Sequence, residues 1–322
     1  MTTITVAFCT YKRADKLEKL VGALRAQRCQ VPFEILAVNN NSPDNTLAVL
    51  AALQRQPGAP LRVVTEMAPG IVPARNRALS EAHSSDYLVF IDDDELPHAG
   101  LLDSAYDALA NEGADCAGGR VAIDFAPHGR PGWLSDELLG FLAAIDHGEQ
   151  AFWITSEATP VWTSNIAYRT AYLREHGLSF DARYNRKGAS ASGAGGGEDV
   201  VMLRRLLGLG ARIRYRPDMM VDHGVEPWRL KRRYFLRLHH LAGMRKGLHE
   251  HPDYPRKLFG IPPFLIVQAL RQSLKALCLA ALRRPGALRQ GMNATHAIGL
   301  ARGIRNRASI IVTGSYPPTH PD

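Results

Sequence analysis

The sequence predicts an α/β fold in which a mainly parallel sheet, flanked by helices, precedes a basic helical tail. Strand and helix patterns alternate along the first 125 residues, and such alternation builds parallel sheets covered by helices on both faces. Charge is also divided unevenly, with 22 Lys and Arg against 6 Asp and Glu in residues 203–322, but 17 against 25 in residues 1–202. We therefore expect an α/β domain over residues 1–225 and a basic helical region over residues 226–322.

Short hydrophobic runs predict the first strands of this sheet, and they cover residues 4–9, 33–38, 61–64 and 87–91. A helical pattern follows each of the first three runs. The first begins at Asp15, a residue suited to a helix cap, and the later ones cover residues 47–53 and 74–83. Parallel strands of this kind bring ligands to their carboxyl ends.

The pattern loosens after a helix over residues 99–111 and a strand over residues 116–123. Residues 187–197 are mostly Gly, Ala and Ser and cannot pack a core, which predicts a mobile loop over the site. A helix then covers residues 200–209, and a basic helical stretch covers residues 229–246.

The tail contains a long amphipathic pattern over residues 264–282. Polar residues recur at helical spacing on one side of it, and they are Gln268, Arg271, Gln272 and Lys275. Apolar residues fill the rest, and Arg283 and Arg284 follow at once. This pattern is typical of a helix that lies in a membrane interface and is attracted to anionic lipid.

Cysteine usage and the length of the apolar runs indicate the cellular compartment. The four cysteines have no paired metal-ligand spacing, which favours a reduced compartment. The N-terminus lacks the basic and apolar regions of a signal peptide, and no uninterrupted apolar run reaches the ~18 residues of a spanning helix. We expect a cytoplasmic protein that associates peripherally with the inner face of the cytoplasmic membrane.

Three consecutive carboxylates, Asp92, Asp93 and Asp94, follow the strand that ends at Ile91. Like charges at one strand end repel each other and resist desolvation, so they are best accommodated around a hard cation with oxygen ligands. The triplet therefore predicts a site for a metal and a diphosphate.

An ordered set of short motifs resembles the family 2 inverting glycosyltransferases of bacterial cell-surface polysaccharide synthesis, which have the GT-A fold. The resemblance runs from about Ile4 to about Gly247. The motifs are Cys9–Arg13, Asn39–Ser42, Ala74–Asn76, Asp92–Asp94, Asn165 within Thr163–Arg169, Gly197–Asp199 and His223.

The resemblance implies that a nucleotide-sugar donor binds at the carboxyl ends of the strands. From the base to the diphosphate, the implied donor-binding residues are Thr10, Tyr11, Arg13, Asn39, Asn40, Arg75, Asp92, Asp93 and Asn165. The family usually has an Asp where this chain has Asn39–Asn41, so the nucleotide stays open, and family habit favours UDP.

The resemblance also implies a divalent metal, Mn²⁺ or Mg²⁺, and a general base. Asp94 would be the direct metal ligand, with Asp92 and His223 also approaching the metal. Asp199 matches the base that takes the proton of the acceptor hydroxyl, and Glu198 beside it would raise its pKa.

Ordinary structural roles also account for parts of this pattern. An acidic triplet at a strand end can cap a helix or form a turn, and Asn39–Asn41 suit a turn as well as a contact with the base. Glu198 and Asp199 suit a helix N-terminus, which is compatible with catalysis. His223 suits a structural histidine as well as a ligand.

We expect inverting transfer of a sugar from a nucleotide-diphosphate donor to a saccharide or a polyprenyl-linked saccharide. An anionic membrane surface is the expected partner, and nucleic acid is not, because the basic residues are mixed with aliphatic stretches and few aromatics. The alternatives are a metal-dependent nucleotidyltransferase and a non-enzymatic protein that binds nucleic acid or membranes. The oligomeric state stays open.

Overall fold

The computed structural model describes residues 2–185 and 197–313, with side chains up to residue 307. The chain divides into two compact units, of which the first ends at Glu226 and the second begins at Pro227. Of the glycine-rich stretch predicted as a mobile loop, residues 187–196 lie outside the described residues.

Strands and helices alternate along the first unit. Its strands are β1 (Ile4–Thr10), β2 (Phe33–Asn39), β3 (Leu61–Thr65), β4 (Tyr87–Ile91), β5 (Glu95–Pro97), β6 (Cys116–Asp124), β7 (Phe152–Ile154), β8 (Asn165–Arg169) and β9 (Ile213–Gly224). Its helices are α1 (Ala14–Arg25), α2 (Thr46–Gln54), α3 (Ile71–Glu81), α4 (Leu101–Tyr106), α5 (Thr170–Glu175) and α6 (Glu198–Gly208). Shorter helical segments cover Asp107–Asn111, Asp136–Leu142 and Ala182–Tyr184.

The nine strands of the described chain belong to one mixed sheet with the order β3-β2-β1-β4-β8-β6-β9-β5, and β7 pairs with β9. β1 to β4 run parallel, whereas β8 is antiparallel to β4 and β6, and β5 and β7 are antiparallel to β9. The predicted α/β fold is confirmed. The sheet is mixed rather than mainly parallel because β6 and β8 are joined without the crossover helix that a parallel pair needs.

The hydrophobic runs form the core of this unit. The inner strands β1, β2 and β4 are buried along most of their length. α1 packs Leu17, Leu20, Val21 and Leu24 into the same core, each at most 1% exposed, as their helical spacing indicates. α3 begins at Ile71, three residues before the predicted start, directly after Gly70 in the left-handed region with φ 118°.

The second unit contains α7 (Arg232–His249), α8 (Pro263–Ala281) and α9 (Ala287–Thr313). Glycines allow α7 and α9 to cross with their backbones in contact, and these are Gly243, Gly247, Gly299 and Gly303. A Cβ atom on Gly243 would lie 2.1 Å from the carbonyl oxygen of His296, and one on Gly299 would lie 1.9 Å from that of His240. No larger residue fits at these positions without separating the helices.

α8 matches the amphipathic helix predicted over residues 264–282. It packs on α9 through Leu265, which contacts Leu300 and Ile304. Among the described helices, α8 is the one long and apolar enough to cross a membrane, with a mean hydropathy of 1.3.

Candidate active site

Residues Asp92–Glu95, which we call the acidic turn, follow β4 and lead directly into β5. β5 pairs with the end of β9, and this register sets Glu95 opposite His223. The backbone N–H of Gly224 donates to the carbonyl oxygen of Asp94 at 2.8 Å. This short pairing brings His223, distant in the sequence, to the acidic turn.

Arg75, carried by α3, is the centre of a carboxylate cluster and is only 4% exposed. Its Nη1 donates to Asp199 Oδ1 at 2.7 Å and to Glu198 Oε1 at 3.1 Å, while its Nη2 donates to Asp92 Oδ1 at 3.1 Å. Burial alone would lower the pKa of Arg75, but the charges of these three carboxylates raise it above its usual value. One guanidinium therefore joins the acidic turn to the first turn of α6.

Asp199 has the electrostatic setting of a general base. It lies in the first turn of α6 with its side chain 16% exposed, whereas the neighbouring Glu198 is buried and accepts a hydrogen bond from the N–H of Gly197. The pKa of Asp199 is raised to about 6, chiefly by burial; Arg75 opposes the rise and Glu198 adds to it. Such a carboxylate is ionised at neutral pH and is a stronger base than an ordinary aspartate.

A second cluster surrounds Asp94. Its Oδ1 lies 3.7 Å from His223 Nε2, and its Oδ2 lies 3.5 Å from Arg13 Nη2. Arg13 Nη1 donates to Glu226 Oε1 at 2.5 Å, and Lys16 Nζ donates to the same oxygen at 2.8 Å. Sequence reasoning misses Glu226 and Lys16; the available signal is that Glu226 follows His223 by three residues and Lys16 follows Arg13 by three.

The four carboxyl groups of the acidic turn lie so close together that some of them are difficult to ionise. The pKa of Asp93 is raised to about 7, first by burial and then by the charge of Asp94, with Arg13 opposing the rise. Burial, followed by the charges of Asp92 and Asp94, raises the pKa of Glu95 well above its usual range. A divalent cation would relieve this repulsion, so the donor set fits a hard metal.

The protein ligands for such a metal are few. In the described part of the chain, no group of three or more His, Cys, Asp or Glu side chains is arranged to hold a metal ion. Of the residues that the resemblance implies as ligands, Asp94 and His223 lie 3.7 Å apart, whereas Asp92 Oδ1 is bonded to Arg75. A metal held here would take its remaining ligands from bound phosphates or water.

The two asparagines proposed to read the base are engaged by the backbone. Asn39 Oδ1 accepts from the N–H of Ser42 at 3.1 Å, which closes a turn. Asn40 Nδ2 donates to the carbonyl oxygens of Glu66 and Ala68, and its Oδ1 accepts from the N–H of Gly70 at 2.7 Å. The turn role left open by the sequence is therefore present, and Asn40 holds the segment that leads into α3.

The other implied donor residues differ in accessibility. Thr10 is buried at the end of β1, in register with Asn39 on β2, and Tyr11 is half-buried beside it. Asn165 is fully buried in β8, where Nδ2 donates to the carbonyl oxygens of Arg120 and Met219. Asn165 thus braces the irregular pairing of β6 with β9 and exposes no surface to a donor.

Comparisons with known proteins agree with this arrangement. The family described as "Glycosyl transferase family 2" matches residues 5–177, more than half of the chain. The succinoglycan biosynthesis protein ExoM of Rhizobium meliloti (strain 1021) is 24% identical over 242 residues, which are 72% of this chain and 72% of that protein.

Solved structures share the fold at low sequence identity. S. aureus TarS 1-349 in complex with UDP-GlcNAc superposes with a TM-score of 0.55 at 17% identity, covering 98% of this chain and 93% of that one. The mannosyltransferase PcManGT from Pyrobaculum calidifontis, in complex with GDP-Man and Mn²⁺, gives a TM-score of 0.53 at 20% identity, covering 97% and 79%.

Proposed function

The chain belongs to glycosyl transferase family 2, and from this premise we propose that it transfers a sugar from a UDP-sugar to a saccharide hydroxyl, with inversion at the anomeric carbon. Family membership makes it a glycosyltransferase, which removes the nucleotidyltransferase and the non-enzymatic alternatives. The observation that carries the proposal is the bonding of Arg75 to both Asp92 of the acidic turn and Asp199 of α6.

Two electrostatic demands of sugar transfer match the two clusters of the site. The leaving diphosphate gains charge, and the acceptor hydroxyl loses a proton. Arg13, which lies beside Asp94, and Lys16, which shares the Glu226 carboxylate with Arg13, would attract the diphosphate end of the donor. Asp199, with its raised pKa, would take the proton as the hydroxyl attacks from the face opposite the diphosphate.

A divalent metal, Mn²⁺ or Mg²⁺, is proposed at Asp94 with His223 beside it. Bound there, it would neutralise charge on the leaving diphosphate. The mutual repulsion within the acidic turn supports this placement, as does the presence of Mn²⁺ in the PcManGT complex.

Arg75 is proposed as a positioning residue rather than as a direct partner of the phosphates. The guanidinium of Arg75 already donates hydrogen bonds to three carboxylates of the protein, and the side chain is buried. It would fix the carboxylate of Asp199 and keep it ionised, because a neighbouring positive charge favours the charged form.

The acceptor is proposed to be a saccharide or a polyprenyl-linked saccharide of a cell-surface polysaccharide pathway. A role of the ExoM relative in succinoglycan biosynthesis supports a polysaccharide product. We propose further that residues 1–225 carry out the transfer at the inner face of the cytoplasmic membrane, where the basic residues 226–322 associate with anionic lipid.

Turnover of a panel of nucleotide sugars with Mn²⁺ or Mg²⁺ tests the proposal. We expect one UDP-sugar to release UDP, faster when saccharide acceptors are added. Release of pyrophosphate, or no turnover of any nucleotide sugar by folded protein, would show that the proposed reaction is wrong.

A further inference from the structure

α8 exposes a row of large apolar side chains on the side opposite its contact with α9. Leu265 is buried against α9, and Gln272, on the same side, accepts a hydrogen bond from Gln290 of α9 through its side-chain oxygen. On the opposite side, Val267, Leu270, Leu274 and Leu277 are each between 64% and 67% exposed. A helix that stabilises a water-soluble unit has the reverse distribution.

The exposed side chains form one continuous surface, which we call the apolar stripe, and its members are Phe264, Val267, Leu270, Leu274 and Leu277. Their spacing of three or four residues keeps them on one face of the helix, and the stripe extends for about 20 Å. Isolated exposed leucines are ordinary on protein surfaces, but a contiguous apolar row marks an interaction surface.

Positive charge borders the apolar stripe. Arg271 and Lys275, four residues apart, lie along one edge of it, and Arg283 and Arg284 follow the helix. The sequence contains no Asp or Glu between Tyr254 and Pro321. The partner must therefore combine an apolar interior with an anionic border, which is the chemistry of the interface of an anionic lipid bilayer.

Other occupants match this surface less well. In a symmetric pair of α8 helices, the cations at the border would face their own copies, and like charges across an interface are unfavourable. Nucleic acid would meet the cations but leave the leucines without a partner. A spanning arrangement would place Arg271 and Lys275 in the hydrocarbon, and it would strip α8 from α9 along the face that holds Leu265.

We propose that α8 lies in the plane of an anionic membrane, with the apolar stripe inserted at the boundary between headgroups and acyl chains and with Arg271 and Lys275 bound to lipid phosphates. This rests on the proposed membrane association and deepens it by assigning that association to one face of one helix.

The test is co-sedimentation of the full chain with vesicles of phosphatidylcholine, with and without phosphatidylglycerol. The variant Leu270→Gln/Leu274→Gln removes two side chains of the apolar stripe and is expected to bind anionic vesicles about tenfold more weakly, or worse. Arg271→Gln/Lys275→Gln is expected to lose the preference for anionic vesicles and the dependence on salt. The matched control, Leu47→Gln/Leu209→Gln, changes two exposed leucines of the first unit and is expected to bind as the wild type does.

The outcomes separate the two levels of the proposal. Wild-type binding with undiminished binding of Leu270→Gln/Leu274→Gln overturns the assignment to α8 and leaves membrane association standing. Absence of binding to either vesicle overturns both. A wild-type dimer in solution that this variant converts to a monomer, without vesicle binding, identifies a second copy as the occupant and overturns the proposal. Circular dichroism and soluble donor turnover, expected to be unchanged in the variant, show that it folds and report on sugar transfer independently.

Discussion

The acid limb of the pH–rate profile is the most informative consequence of the Arg75 cluster. If Asp199 is the base, only its ionised form is active, and a pKa of about 6 leaves roughly 90% of it ionised at pH 7 but only about 10% at pH 5. The rate of transfer at limiting substrate should therefore fall about tenfold from pH 7 to pH 5. An ordinary aspartate, ionising near pH 4, would produce almost no fall over that range.

Two substitutions should move this limb in opposite directions. Arg75→Gln removes the charge that lowers the pKa of Asp199, so the limb should move up by about 1 to 3 pH units, with activity recovering toward pH 9. Glu198→Gln removes a like charge that raises the same pKa, so the limb should move down. Arg77→Gln, on the same helix but in a surface pair with Glu81, should leave the limb where it is.

The assay is the initial rate of UDP release from pH 5 to pH 9 at a donor concentration well below KM. Removing Arg75 also leaves three carboxylates without their buried cation, which costs about 3–5 kcal/mol of stability. Circular dichroism must therefore show that Arg75→Gln is folded at the assay temperature, and Glu198→Gln tests the reasoning if it is not. A limb that stays at one pH in the Glu198 variant and in every folded Arg75 variant would refute this account of Asp199.

Three further predictions concern other parts of the molecule. Mn²⁺ with UDP should raise the melting temperature of the wild type but not that of Asp94→Asn. The surface control Asp136→Asn should behave as the wild type does. An equal rise in all three proteins would exclude Asp94 as the ligand. Glu226→Gln removes the negative charge that holds Arg13 and Lys16 in position, so both cations should be less well placed for the diphosphate and KM for the donor should rise about fivefold with little change in kcat. Steady-state kinetics in which kcat falls and KM is unchanged would argue against a donor-side role. Gly299→Ala should destabilise the second unit by about 1–3 kcal/mol in urea unfolding, because its Cβ would meet a backbone oxygen at 1.9 Å, whereas Gly208→Ala, whose Cβ meets nothing, should not.

Local sequence patterns predict the first half of the fold well because its elements are long and regular. The strands β1 to β4 are buried runs, and α1 carries its apolar face at helical spacing, so periodicity alone identifies them. The mixed part of the sheet is harder to predict from the sequence. β5 and β7 have three residues each, too few for a pattern, yet β5 is the strand that brings His223 to Asp94.

The partners of individual site residues depend on how elements converge, which no local pattern contains. The motif that includes Arg75 indicates a functional arginine, but its bonds to Asp199 and Asp92 require α3, α6 and β4 to meet. The motif that includes Asn165 is likewise recognisable. Its buried contact with the carbonyl oxygen of Met219, however, depends on the register shift between β6 and β9 at Gly119. In α8 the amphipathic pattern is visible in the sequence, but the choice of exposed face is made by packing on α9.

We propose that Asp199 is the general base of this family 2 glycosyltransferase. Donor binding and sugar transfer, measured side by side on Asp199→Asn and on the wild type, test it most directly. We predict that the variant binds UDP-sugar with nearly unchanged affinity and transfers the sugar about 10²–10⁴-fold more slowly. Transfer at the wild-type rate, or a loss of activity that follows entirely from lost donor binding, would contradict the role of Asp199 as the base.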